Sequence, residues 1–319
     1  MRIHHVATMH SRTVPVVSTA FGRLALALWI ALVGASSARA EPPCATQPSE
    51  CPVQLNSDTA RGAALGVGQR ASAVSTSALA YNPAALVLGK IYHIEGSVDY
   101  MAAWDSVALG AAVMDSSTSK VGAGVAFRGF ISGDNGIGGM DARGGIAFPL
   151  ADPISVGVGL RYMNLSHYLE TAGGARRKAE LAEGFTMDAS IRVQPSPVFQ
   201  IAALAVNFID VGSAYVPVMF GGSMSFSIAS MANVGADILF DVSSFDSTGV
   251  LWGPSAEVLI AGIVPLRLGY SFDVQRELHT LSGGAGYTDR SVGVDLSFQQ
   301  ELTRGKETRV IGSFRYYVH

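Results

Sequence analysis

His93, Glu95, Ser97 and Asp99 occupy every second position of one short stretch. Side chains alternate faces along an extended chain, so these four share one side. A histidine beside carboxylates and a serine is the raw material of nucleophilic or general acid–base chemistry. The stretch offers no activated nucleophile, however, and the other histidines after residue 40, His167, His279 and His319, bring no partner with triad or metal-ligand spacing. "GDNGIGG" (133–139) has the glycines of a phosphate loop but no helix after it, so it reads as a turn. The expectation is no enzyme, no metal and no cofactor, with the polar face serving structure.

Other charges obey the same parity. Glu95, Asp99, Arg128, Asp141, Arg143, Arg161, Asp188, Arg192, Asp237, Asp241, Glu257, Arg267, Asp273, Asp295, Arg309 and Arg315 all fall on the face that also carries Gly, Ser and Ala, opposite Val, Leu, Ile and Phe. "SVGVDLSF" (291–298) shows the rule in one strand: Val292, Val294, Leu296 and Phe298 against Ser291, Gly293, Asp295 and Ser297. A charge on a lipid-facing strand position costs roughly 2–4 kcal/mol at mid-bilayer. Seven Arg against nine carboxylates on one parity therefore predict a lumen crossed by a ladder of ion pairs.

The elements that position these charges are strands. Fourteen alternating segments follow residue 90, each near the roughly 9–11 residues that cross a bilayer at a tilt. The predicted fold class is all-β: a transmembrane antiparallel β-barrel over 90–319. Tyr and Trp near the strand ends fit aromatic girdles. The longest and most charged spacer, 167–181 with Arg176, Arg177 and Lys178, reads as an extracellular loop.

The chain before residue 90 is built differently. Arg2, Arg12 and Arg23 precede the apolar run 24–34 and the small-x-small site Ala38-Arg39-Ala40, which predicts a signal peptide over 1–40. Without its four Arg the remainder holds 18 basic and 25 acidic residues, which gives no support for nucleic-acid binding. Residues 41–55 read as a periplasmic tether in which Cys44 and Cys51 form a small disulfide loop. Residues 56–89 are rich in Ala, Gly and Ser and do not alternate; a surface loop and a plug inside the barrel both fit.

Gly62, Gly66 and Gly68 lead through an Ala-rich stretch to Tyr81-Asn82-Pro83-Ala84. With these features, residues 61–100 resemble the N-terminal region of the FadL-type outer-membrane transporters and the related PorV-type barrels. The resemblance implies fourteen strands, an N-terminal hatch inside the lumen with Tyr81, Asn82, Pro83 and Ala84 as its motif, and residence in the outer membrane. It implies passage of small hydrophobic compounds, or alternatively a non-transporting scaffold in secretion or surface assembly. The implied partners are outer-membrane lipid and either a small hydrophobic ligand or a secretion or surface partner protein. The motif continues Asn-Pro-Ala-Ala where Asn-Pro-Ala-Gly is usual, and the long loops of the fatty-acid transporters have little room here.

Overall fold

The computed structural model describes residues 44, 51, 52, 54, 59–170, 176–229, 231–304 and 307–318. They belong to the second of two units in the chain, Pro42–His319. The predicted signal peptide, most of 41–58 and His319 lie outside the described residues.

Fourteen strands are described: β1 Tyr92–Met101, β2 Ser106–Asp115, β3 Gly122–Ser132, β4 Ile137–Ala151, β5 Ile154–Glu170, β6 Arg176–Ser196 and β7 Phe199–Val206. The second half is β8 Met219–Ile228, β9 Ala232–Asp241, β10 Gly249–Ile260, β11 Val264–Asp273, β12 Leu278–Thr288, β13 Val292–Glu301 and β14 Thr308–Val318. Each pairs antiparallel with its sequence neighbours, and β1 pairs with β14 from Tyr92↔Val318 to Met101↔Arg309, which closes the barrel. Closure leaves no sheet edge, the condition for a β-structure to stand in lipid.

The alternation becomes an inside and an outside. Leu296 is 60 % exposed, while its neighbours Asp295 and Ser297 are each 2 % exposed. Among the described residues no helix is long and apolar enough to cross a membrane. The two mouths differ. One is closed by tight connections such as Ala261-Gly262, with φ of 52° and 74°, the positive pair that a two-residue hairpin turn favours. The other carries the longer connections, including 207–218, 242–248 and 302–307. In outer-membrane barrels the long loops face outward.

Two expectations need correction. The spacer 167–181 is largely strand: after an irregularity at Leu165/Ser166, pairing runs on through His167↔Ala179 and Leu169↔Arg177. Charged residues at this end hide the alternation, because beyond the bilayer neither face must be apolar. Alternation in the sequence also predicts strands over 198–210 and 215–228, whereas β7 and β8 end and begin around a longer loop, 207–218. Asn207 has φ +50°, which turns the chain, and the Asp210 carboxylate accepts from the Gly212 N–H at 2.8 Å to hold the next turn.

Residues 59–88 pack against the inner wall. They form helix α1 Ala60–Leu65, helix α2 Thr76–Tyr81 and a 3-10 turn Pro83–Val87. Thr59 caps α1 by accepting from the Gly62 N–H at 3.0 Å. All six α1 residues are buried, including Arg61. The wall meets this segment with glycine. A Cβ at Gly157 would collide with the Pro83 and Ala84 backbone, and one at Gly269 with Leu65.

Candidate functional site in the lumen

Thirteen of the sixteen charges expected in the lumen are buried, and Arg143, Glu257 and Arg309 are half-buried. The strand register brings most of them together in networks. Glu257 and Arg267 are cross-strand partners 2.5 Å apart, Arg267 continues to Asp295 at 2.5 Å, and Asp295 continues to Arg315. Asp99 lies between Arg128 and Arg309, and Asp141 holds Arg161 at 2.5 Å and Arg143 at 3.4 Å. Asp188 and Arg192 are not ion-paired to each other: Asp188 accepts the Asn207 N–H at 2.7 Å, and Arg192 donates to the Ala71 carbonyl at 3.2 Å.

Three arginines outside the expected ladder complete it. Arg61 reaches Glu257 at 3.0 Å and Arg70 reaches Asp237 at 3.0 Å, both from the inner segment. Arg276, in the β11–β12 connection, lies 2.8 Å from Asp273 and 3.2 Å from Asp241. Arg61 and Arg70 are the two charged residues in 59–89, and that isolation is the trace they leave in the sequence. Glu95 and His93 also face the segment rather than each other: Thr76 donates to Glu95, and the Ser75 hydroxyl lies 2.8 Å from His93 Nε2.

The four-residue motif sits at the turn from α2 into the 3-10 element. Asn82 is fully buried and its amide donates to the Arg70 carbonyl at 2.8 Å, so it ties the two halves of the segment. Ala84 is clamped to the wall, its N–H donating to Ser190 at 2.8 Å and its carbonyl accepting from Ser155 at 2.8 Å. Pro83 packs against Gly157 and Gly159, and the Tyr81 ring lies 5.4 Å from the Arg70 guanidinium carbon.

Cys44 and Cys51 are joined by a disulfide. The pair packs with Ala214 and Phe245 at the long-loop mouth. The Cys44 N–H donates to the Ser244 carbonyl at 2.9 Å, Arg276 donates to the Pro52 carbonyl at 3.0 Å, and Arg304 donates to the Cys51 carbonyl at 2.8 Å. All those partners lie on connections at that mouth, opposite the end where β1 begins. The described residues of 41–55 therefore pack onto the barrel at its long-loop mouth. Residues 59–89 lie along the lumen and enter β1 at the opposite mouth, a placement that composition does not encode.

Gln54, next to this disulfide-linked cap, and Gly66, Val67, Arg70 and Tyr81 of the inner segment line one side of a cavity of about 140 Å³. Its apolar wall is Met101, Trp104, Phe130, Leu165, Leu251 and Leu278. Trp104 belongs to this mouth rather than to an outer girdle, its ring 5.4 Å from His167 and 6.1 Å from Tyr215. Glu307 lines the cavity just before β14, and burial pushes its carboxyl up to about 7, with Glu301 and Asp99 adding to the rise against Arg309 and the Ala103 N–H. A cavity of about 50 Å³ lies lower, beside Thr76, Glu95, Gly110 and Ala126. A constriction of about 20 Å³ borders both: it shares Arg70, Tyr81 and Arg161 with the first, and Ala80 and Arg143 with the second. Arg143 donates to the Ala80 carbonyl there at 3.0 Å.

No protein family and no curated protein matches the chain. Solved structures do. The toluene transporter TbuX of Ralstonia pickettii superposes with TM-score 0.58 at 13% identity, over 79% of this chain and 97% of that one. A Pseudomonas aeruginosa FadL homologue gives 0.58 at 11% over 83% and 99%. The Pseudomonas putida toluene transporter TodX gives 0.55 at 12% over 83% and 98%. At these identities the likeness is one of fold, that of a bacterial outer-membrane barrel.

Proposed function

From a chain with the FadL-type barrel fold, we propose passive passage of small hydrophobic compounds across the outer membrane, with residues 56–89 acting as the hatch. The observation that carries this reading is the chamber of about 140 Å³ inside the long-loop mouth, walled by six large apolar side chains. Polar filling would serve a purely structural lumen better than an apolar pocket. The solved neighbours include proteins described as toluene transporters, which supports a small apolar cargo. The lower cavity and the constriction, which shares lining residues with it and with the chamber, mark where a path past the hatch would run. Purified protein in liposomes should take up toluene faster than protein-free liposomes; equal rates would overturn the reading.

A second reading rests on a different observation. Strand pairing is continuous around the barrel, and the inner segment is tied to the wall by buried ion pairs. A sealed, rigid barrel suits a scaffold in secretion or surface assembly. Affinity capture from native outer membranes that yields a stoichiometric partner, together with no uptake, would favour it.

A further inference from the structure

We propose that the outer chamber binds a neutral, single-ring-sized compound carrying one hydroxyl group, in preference to a bare hydrocarbon or an anion. This rests on the transport reading and narrows its cargo. Size comes first. A buried cavity of about 150 Å³ accepts benzene, and this one holds about 140 Å³. The apolar wall supplies the seat for the ring.

The polar lining sets the rest. Three groups that line the chamber have buried polar atoms with no hydrogen-bond partner among the described residues: Arg70 Nε, both amide atoms of Gln54, and Glu307 Oε1. Buried polar atoms in folded proteins are nearly always partnered. Arg70 Nε can only donate and the Gln54 amide both donates and accepts, while Glu307 Oε1 accepts when ionised. A hydroxyl is the smallest group that both donates and accepts, so it can pair with donor and acceptor atoms of this lining; a hydrocarbon pairs with none. An anion finds no free counter-charge. Arg70 is held by Asp237, Arg161 by Asp141, Arg276 by Asp241 and Asp273, and Arg309 by Asp99.

The test is calorimetric titration of the detergent-purified mature protein with p-cresol, toluene and p-toluate, three ligands of one shape. The expected result is p-cresol binding about ten-fold tighter than either, the value of one well-made hydrogen bond. Gln54→Leu should cut p-cresol affinity several-fold and narrow its advantage over toluene. Heat-modifiable gel mobility checks that the variant barrel is folded, and Gln54→Ala replaces it if it is not. Toluene binding as tightly as p-cresol, p-toluate binding tightest, or an undiminished p-cresol preference in a folded Gln54 variant would overturn the proposal. Water alone satisfying the three groups gives the first of those results. Liposome uptake is read separately: p-cresol preference without uptake sinks the transport reading and leaves the site, and uptake without preference does the reverse.

Discussion

Arg70 and Asp237 stand 167 positions apart in sequence and 3.0 Å apart in the lumen, both buried. Asp237 also accepts from the Arg70 N–H and from Ser223, so one carboxylate anchors both the backbone and the side chain of the inner segment. Removing one member of such a pair strands a charge and costs about 3–5 kcal/mol, whereas replacing both with apolar residues costs far less. Asp237→Ala should lower the melting temperature sharply. The double variant Arg70→Leu with Asp237→Leu should recover most of the loss. A double variant no more stable than the single one would show that the pair does not hold the segment.

The Gly157–Pro83 contact tests the fit of the segment by volume instead of charge. Gly157→Val should expel the segment from the wall or cost about 1–3 kcal/mol of overpacking. Gly96, with open space around it, provides the comparison, and Gly96→Ala should be close to neutral. Limited proteolysis of the region around residues 70–88 reads the difference: faster cleavage in Gly157→Val only.

Glu307 gives a pH dependence with a definite sign. Its carboxyl is raised from 4.5 to about 7. The fold therefore favours the protonated form, so the stabilisation is complete below pH 4.5 and is lost as pH rises through about 7. Melting temperature should fall across that window in the wild type. In Glu307→Gln the fall should be shallower, and identical slopes would refute the assignment.

The disulfide pins the cap. Opening an eight-residue loop releases about 2.5 kcal/mol of chain entropy to the unfolded state. Cys44→Ser with Cys51→Ser should lower the melting temperature by several degrees and raise single-channel conductance in planar bilayers. An unchanged conductance would mean that Arg276 and Arg304 hold the cap without it.

The wall was legible because lipid on one side and a lumen on the other force a two-residue period on every strand. Leu296 beside Asp295 is that rule in two residues. Legibility ended where the two-sided constraint ended. Past Ser166 and before Ala182 charged residues interrupt the alternation, so strand reads as loop. Arg276 was missed because it lies in a turn, where no parity assigns a face. Arg61 and Arg70 belong to a helical segment whose partners are set by barrel closure, which no local pattern reports. The disulfide spacing was readable, but which mouth it occupies depends on the direction in which residues 59–88 run through the lumen.

The seam between β1 and β14 joins the first strand translated to the last. The segment held behind that seam is made before any strand. It touches the wall closely on two separate strands, at Gly157 of β5 and Gly269 of β11. A sheet that wraps around its contents as it curls, with β14 closing onto β1 last, accommodates both contacts. Biogenesis, on this geometry, is a packaging problem, and a chain truncated before Thr308 would leave the package open.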